Sequence, residues 1–271
     1  MSVFKIATYN INSVRIRLPL LRDISMRLKP DVICLQETKT PDDAYPFEAI
    51  REIGYHHQAF TGFKGYNGVA ILSKEPLTDI TIHKRCQQND ARHISAKIKP
   101  KKGADDITLH NIYIPAGGYE PDVKTNGKFK HKLDFVDELS AWFPKTHKKT
   151  EPLIIVGDLN IAPLEHDVWD SKKMQNVVSH TPIEVKKFLH FQNAMDFIDS
   201  ARAIIPHSEK LYTWWSYRAA DWEKADKGRR LDHIWYSQAL KQHLKAHQTD
   251  KEARKADKPS DHIPIMTSFE F

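Results

Sequence analysis

Short apolar runs rich in β-branched residues recur along the chain, and segments with helical periodicity separate them. The runs with the length of a strand are FKIATYNI, DVICLQE, GVAILSK, HISAKIK, ITLHNIYI, LIIVGDLN, LDHIWYS and IPIMTSFEF. Apolar spacing predicts helices over residues 17–28, 46–53 and 132–143, and the capping box at 181–184 begins another. This alternation predicts an α/β protein with mixed sheets.

The remaining sequence signals place the chain among globular proteins without a membrane segment. We find no repeat, low-complexity tract or linker, so we expect a single domain over residues 1–271. The start, MSVFKIATYN, lacks the pattern of a signal peptide, and no apolar run approaches the roughly 18 residues of a membrane span. With only Cys34 and Cys86, neither a disulfide framework nor a cysteine metal cluster is possible. We expect an intracellular protein.

The charge of the chain is mildly basic. The net charge of +6 and the pI of about 9.1 favour polyanionic partners such as nucleic acid. The segment 116–132, AGGYEPDVKTNGKFKHK, is open to two interpretations, a solvated loop or a phosphate-binding one. Its candidate phosphate contacts are Lys124, Lys128, Lys130 and Lys132.

Polar side chains follow the predicted strands at their ends. The run LIIV at 153–156 turns directly into Gly157, Asp158 and Asn160. Each such end could be a simple turn, since Asp and Asn bond their own backbone there. Several of them side by side would crowd carboxylates, which repel unless a cation or proton intervenes. The polar residues at these ends are Asn10, Asn12, Gln36, Glu37, Lys39, Tyr113, Asp158, Asn160, Asp232, His233, Asp261 and His262.

The residue types indicate which cation and which chemistry. Oxygen ligands dominate, histidine is scarce and cysteine is lacking, and this set suits Mg²⁺ or Mn²⁺ rather than zinc. A histidine beside the metal could bind or protonate a phosphate oxygen, and a second carboxylate could polarise water. These are the parts of metal-assisted phosphodiester hydrolysis.

At these residues the sequence resembles the exonuclease III/AP endonuclease family of DNA-repair nucleases, within the larger endonuclease/exonuclease/phosphatase superfamily. The matching stretches, in the family's order, are TYNINSVRIRL, PDVICLQETK, GVAILSK, YIPAGG, GDLNIAP, YTWWSYR, GRRLDHIW and KPSDHIP. The resemblance implies a DNase I-like fold, a four-layer α/β/β/α sandwich of two mixed β-sheets flanked by helices. It places the site at one end of the sandwich.

The resemblance also implies a role for each site residue. Asn10, Glu37 and Asp261 would hold Mg²⁺, with Mn²⁺ as a substitute. Asp158 would position or deprotonate the attacking water, and Asn160 would orient Asp158 and the phosphate. His262, held in its tautomer by Asp232, would contact the scissile phosphate, and Tyr113 would position the phosphate or stabilise the leaving 3′ oxygen. The full set of candidate ligands is Asn10, Glu37, Asp158, Asn160, Asp261 and His262.

The implied substrate is double-stranded DNA with abasic sites or 3′ blocks, bound by a monomer in the cytoplasm or at the nucleoid. Arg92 would grip the DNA backbone, while Trp214 and Leu231 would form an apolar sugar pocket. Arg229 stands where relatives carry Trp or an aliphatic residue, so we expect it to turn outward towards a phosphate and to leave the pocket more open. One of Trp214 and Trp215 is expected in the core.

Two alternatives stay open from the sequence. A phosphoesterase of the same superfamily acting on inositol or lipid phosphates would share the Asp, Asn and His core. A non-catalytic nucleic-acid-binding protein would show gaps among Glu37, Asp158, Asn160, Asp232 and His262, and the sequence shows none.

Overall fold

Two six-stranded β-sheets packed face to face form the centre of the computed structural model, which describes residues 2–100, 103–219 and 221–271. The strands are β1 (Val3–Asn10), β2 (Val32–Gln36), β3 (His57–Phe63), β4 (Tyr66–Ser73), β5 (Leu77–Ile82), β6 (His93–Ile98), β7 (Ile107–Ile112), β8 (Leu153–Asp158), β9 (Ile198–Asp199), β10 (Asp232–Tyr236), β11 (Leu244–Thr249) and β12 (Ile265–Glu270). The first sheet has the order β11-β12-β1-β2-β4-β3, and the second has the order β5-β6-β7-β8-β10-β9.

Helices cover the outer face of each sheet. The helices are α1 (Leu18–Leu28), α2 (Phe47–Glu52), α3 (Gly127–Thr146), α4 (Ser171–Met174), α5 (Pro182–Ala194) and α6 (Trp222–Ala225), with 3₁₀ turns at Asp42–Ala44, Glu165–Asp167, Gln238–His243 and Lys251–Lys255. Apolar residues of α1 and α2 pack on the first sheet, and those of α3 and α5 pack on the second. The predicted four-layer sandwich is therefore confirmed. Among the described residues, no helix combines the length and the apolar character needed to cross a membrane.

The central strands are apolar throughout because both of their faces are buried. In β8, Ile154 and Val156 point to the core between the sheets, whereas Leu153 and Ile155 point to α3 and α5. Side chains alternate between the two faces of a strand, so a strand covered on both sides reads as a continuous apolar run. This packing makes the ends of the central strands rigid.

The structure contains four strands that the sequence did not predict, β3, β5, β9 and β11. β3, β5, β9 and β11 lie at the edges of the two sheets, and almost every side chain of β5 is exposed. An edge strand buries less apolar surface, so its sequence carries a weaker hydrophobic pattern. The mixed charge run at 246–260, a pattern typical of a solvated surface element, begins inside β11 and continues through the 3₁₀ turn Lys251–Lys255.

The Lys-rich segment 116–132 is a loop only over residues 116–126, and its last six residues are helical. Asn126 accepts hydrogen bonds from the amides of Lys128 and Phe129, so it caps α3, which begins at Gly127. The predicted helix over 132–143 is thus too short at its start, and α3 also runs through Pro144. Because Asn126 is a good N-cap residue, α3 begins within the segment whose lysines indicated a polar loop.

Candidate active site

The ends of four central strands meet at one end of the sandwich. β1 runs parallel to β2, so Asn10 and the residue after β2, Glu37, end at the same edge. β10 runs antiparallel to β8, with Asp232 directly opposite Asp158. Asn10 joins the two sheets, because its Nδ2 donates to Glu37 Oε1 at 3.0 Å and to Asp158 Oδ2 at 2.9 Å.

The turn after β8 depends on a glycine. Gly157 has a φ of 146°, and a Cβ there would lie 1.8 Å from the carbonyl oxygen of Ile112 on the neighbouring strand. Asn160 takes the left-handed conformation, and its amide donates to Asp158 Oδ1 at 3.0 Å. The chain therefore leaves the sheet in a tight turn while Asp158 and Asn160 both line a cleft. The same turn that ends β8 therefore also places the two candidate site residues at the cleft.

His262 lies between two buried carboxylates. Its Nδ1 is 2.8 Å from Asp232 Oδ2, and its Nε2 is 3.6 Å from Asp158 Oδ2. An ionised carboxylate only accepts hydrogen bonds, so Nδ1 donates to Asp232. This contact fixes the ring orientation and leaves Nε2 facing Asp158.

Charge is concentrated in this cluster. Burial raises the pKa of Asp158 to about 7 against the opposing effect of His262, and the nearby carboxylates of Asp232 and Glu37 add to the rise. Burial alone would lower the pKa of His262, but the carboxylates of Asp232 and Asp158 outweigh it and raise that pKa to about 10. The cluster therefore stabilises added positive charge.

Glu37 follows β2 in a left-handed conformation, with a φ of 51°. Its Oε1 accepts from Tyr113 Oη at 2.8 Å, and its Oε2 is 2.7 Å from Lys39 Nζ. Burial opposes ionisation, but Lys39 and the hydrogen bonds from Asn10 and Tyr113 prevail and lower the pKa of Glu37. Both oxygens of Glu37 therefore have partners from the protein, and its assignment as a metal ligand stays a prediction. Sequence reasoning noted Lys39 without giving it a role.

The residues present fit a hard divalent cation. Asp158, Asp232 and His262 each place one ligand-type atom within 4.8 Å of the others. Asp232 Oδ1 is buried and has no hydrogen-bond partner among the described residues. An acceptor of this kind, in a set dominated by oxygen atoms, suits a hard divalent cation. The end of the sandwich is thus a possible acidic and histidine metal site.

Asp261 is held at the rim of this cluster. Its Oδ2 accepts from Trp214 Nε1 at 2.9 Å, and its Oδ1 accepts from Asn12 Nδ2 at 3.3 Å. Both oxygens therefore have partners from the protein, and its assignment as a metal ligand stays a prediction.

A cleft of about 520 Å³ opens beside the acidic cluster. Its far wall consists of aromatic, aliphatic and basic side chains, namely Tyr119, Trp169, Val178, Trp214, Arg218, Lys227, Arg229 and Leu231. Trp214 is half-buried and lines the cleft, whereas Trp215 is buried against Tyr212 and Ile263. One of the tryptophan pair is thus in the core, as the sequence predicted.

The prediction that Arg229 turns outward is wrong. Its guanidinium carbon lies 4.9 Å from the ring centroid of Trp214, and Nη1 donates to Val178 O at 3.1 Å and to Ser179 Oγ at 3.0 Å. A guanidinium can be partly buried when an aromatic face and hydrogen-bond acceptors receive it. Arg229 therefore forms part of the cleft wall.

Arg92 is largely buried, with 6% of its surface exposed. Its Nε is 2.6 Å from Asp90 Oδ2, and its guanidinium stacks 4.6 Å from the ring centroid of Tyr113. The structure places Arg92 behind Tyr113, and its contact with a DNA backbone stays a prediction.

Of the four candidate phosphate-binding lysines, Lys124 and Lys128 are exposed, and Lys130 pairs with Asp134 on the surface. The suggestion that Lys132 grips a phosphate is wrong, because its side chain is wholly buried and ion-paired with Glu184. Lys132 was detectable from the sequence, since it shares the buried stripe of α3 with Phe129, Leu133 and Val136 at helical spacing.

Sequence comparisons identify a family and several similar proteins. A model of the endonuclease/exonuclease/phosphatase family matches residues 7–262. Exodeoxyribonuclease III of Haemophilus influenzae is 32% identical over 274 residues, covering 98% of this chain and 99% of that protein. An exodeoxyribonuclease of Bacillus subtilis is 27% identical over 96% of this chain and 97% of its own.

Solved structures agree with the sequence matches. An AP endonuclease from Archaeoglobus fulgidus superposes with a TM-score of 0.91 at 32% identity, over 99% of this chain and 100% of that one. A 3′ phosphatase from Neisseria bound to a product DNA hairpin superposes with a TM-score of 0.88 at 30% identity, with the same coverage. The chain therefore belongs to the endonuclease/exonuclease/phosphatase family, as an enzyme of its exonuclease III/AP endonuclease branch.

Proposed function

We propose that the protein is a Mg²⁺-dependent DNA-repair nuclease. It hydrolyses phosphodiesters of double-stranded DNA at abasic sites and processes 3′ ends as a 3′–5′ exonuclease, 3′-phosphatase and phosphodiesterase. The observation that carries this proposal is the contact of His262 with both Asp158 and Asp232, next to Glu37, at the floor of the cleft. We further propose that it acts as a monomer, in the cytoplasm or at the nucleoid.

In the proposed reaction, Asp158 orients a water molecule and takes its proton. Asn160 fixes the position of Asp158 through its backbone amide, which donates to Oδ1. His262 carries a positive charge because two carboxylates flank it, so its Nε2 can donate to a phosphate oxygen that approaches from the cleft. Asp232 keeps the ring in place through Nδ1.

Glu37 would hold the metal together with Asn10, which donates to Glu37 Oε1, and with Asp261 at the rim of the cluster. Bound there, Mg²⁺ supplies charge neutralisation at the scissile phosphate. Tyr113 donates to Glu37 and therefore orients this carboxylate, and because Tyr113 also lines the cleft, we propose that it contacts the phosphate or the leaving 3′ oxygen.

The cleft wall supports a substrate with both a sugar and a phosphate. Trp214 and Leu231 offer an apolar surface to a deoxyribose, and Arg229 places a cation on the face of Trp214. A flipped abasic sugar fits the apolar part, and a terminal 3′-phosphate fits the cationic part. The names of two relatives, an AP endonuclease and a 3′ phosphatase, describe these two reactions.

The test is an assay with Mg²⁺ on three labelled duplexes that carry an abasic-site analogue, a 3′-phosphate end or a plain recessed end. We expect cleavage of all three, its loss in excess chelator, and its recovery when Mg²⁺ or Mn²⁺ is added back. A labelled inositol phosphate is the control for the alternative phosphoesterase. Full activity in excess chelator, or activity on the inositol phosphate alone, would contradict the proposal.

A further inference from the structure

Behind the cleft lies an ion pair that the proposed reaction does not use. Lys132 of α3 and Glu184 of α5 are both wholly buried, and Lys132 Nζ is 2.5 Å from Glu184 Oε1. Burying two charges is expensive, and well-packed apolar residues of similar volume often stabilise a fold as well or better. The pair therefore calls for an explanation beyond stability.

The ammonium group of Lys132 is connected to two loops at the cleft. It donates to the carbonyl oxygen of Asn160 at 2.8 Å and to that of Ala116 at 3.3 Å. With the bond to Glu184, all three donors of the ammonium are used. Lys132 thus fixes the backbone of Asn160, which we place in the reaction, without lining the cleft itself.

Glu184 is connected to a third loop. Its two carboxylate oxygens accept from the amide of Ser179 at 3.0 and 2.9 Å, and Oε2 also accepts from the amide and hydroxyl of Thr181. Ser179 has a φ of 94°, a conformation that a residue with a side chain holds only when its surroundings enforce it. The Oγ of Ser179 in turn accepts from Arg229 Nη1.

The ion pair therefore lies between the two halves of the site. One arm leads from Lys132 to Asn160, and the other leads from Glu184 through Ser179 to Arg229 on the cleft wall. We propose that Lys132 and Glu184 are positioning residues. Together they fix the turn that contains Asn160 relative to Arg229 on the cleft wall. This proposal rests on the proposed function for its kinetic part only.

The experiment compares the double variant Lys132→Met/Glu184→Met with wild type. Removing both charges leaves no unpaired buried ion, so we expect the variant to fold, with a lowered melting temperature because buried backbone groups lose their hydrogen-bond partners. The backbone groups of Asn160 and Ser179 lose their partners, so kcat should fall about 10- to 100-fold, because small errors in geometry are costly in catalysis. Amide hydrogen exchange at 158–163 and 176–184 should become faster.

The matched control is Lys187→Met. Lys187 and Asp137 form an ion pair between the same two helices on their solvent side, so its loss should leave kcat and both exchange rates unchanged. Should the double variant fail to fold, Lys132→Met/Glu184→Gln replaces it, since glutamine keeps an acceptor for Ser179 and no buried charge is left unpaired.

Three outcomes are decisive. Faster exchange confined to the two segments, with a lowered kcat in a variant that is still folded at the assay temperature, supports the proposal. Unchanged exchange at 158–163, or a kcat that simply follows the melting temperature across the variants, overturns it. Lack of nuclease activity in wild type would overturn the proposed function instead, while the exchange measurement would still test the positioning role.

Discussion

Among the described residues, two clusters bring three ligand-type atoms within 4.8 Å of one another, and they differ in charge and in access to the cleft. The acidic cluster of Asp158, Asp232 and His262 opens onto the cleft. The histidine cluster, which consists of His83, His93 and His110, lies under α3 and is covered by Trp142.

The hydrogen bonds of the histidine cluster explain why it is unlike a metal site. Arg85 Nε donates to His93 Nδ1, so His93 Nε2 carries the proton and donates to His110 Nδ1 at 3.0 Å. Lone pairs that would face a metal are thus used within the cluster, and a guanidinium lies beside it. Burial and the neighbouring charges lower the pKa of His93 and His110 well below the ordinary value. The two clusters are therefore distinguished by their charge and by their access to the cleft, and the spacing of their ligand-type atoms does not distinguish them.

The largest expected difference between the two clusters is in the turnover of variants that alter one residue of each. Asp158→Asn should lower turnover by about 10²-fold or more, since it removes the proposed base while DNA binding persists. His110→Gln, the matched variant in the histidine cluster, should leave turnover within about twofold. Steady-state kinetics on an abasic duplex measures both. Cleavage by Asp158→Asn within a few-fold of wild type would refute the assignment of Asp158.

The next effect concerns the metal. Glu37→Gln should lower the rate several-fold and raise the Mg²⁺ concentration needed for half-maximal activity, because a carboxylate ligand is lost. A Mg²⁺ titration of the rate, with His110→Gln as the control, gives the result. An unchanged half-maximal concentration would remove Glu37 from the metal site.

The tryptophans beside the two clusters, Trp214 and Trp142, should differ in how their loss changes the ratio of the two activities. Trp214→Ala should damage abasic incision more than 3′-phosphate removal, by a few-fold, because only the first depends on the apolar wall. Trp142→Ala should lower the free energy of unfolding and leave the ratio of the two activities unchanged. Equal losses on both substrates for Trp214→Ala would assign Trp214 to packing alone.

The smallest effect is on stability at acid pH. Because the folded pKa values of His83, His93 and His110 lie below the unfolded value of about 6.5, the unfolded chain binds more protons below that pH. Their stabilisation is present above pH 6.5 and is lost as pH falls towards 4, where His83 titrates. His110→Gln should reduce the loss between pH 7.5 and 5 by about 1–2 kcal/mol, measured by urea unfolding. Parallel pH profiles for wild type and variant would contradict this.

The sequence predicted what local pattern determines. The central strands bury both faces, so their apolar runs were visible, and the polar residues at the ends of β1, β2, β8 and β10 marked one end of the sandwich. The edge strand β5 is exposed and carried no such pattern. Arg229 could not be placed from the sequence, because its acceptors come from a loop whose conformation depends on Glu184.

The order of strands in the first sheet has a consequence for the protein during its synthesis. β1 lies between β2 and β12, and Ser260, just before β12, donates through its hydroxyl to the carbonyl oxygen of Asn10. Domains form as units while the ribosome delivers the chain from the N-terminus. A nascent chain that has emerged only as far as β10 holds Asn10, Glu37, Asp158 and Asp232 but lacks His262. The proposed site is therefore complete only when the segment just before β12 has folded and has placed His262 between Asp158 and Asp232.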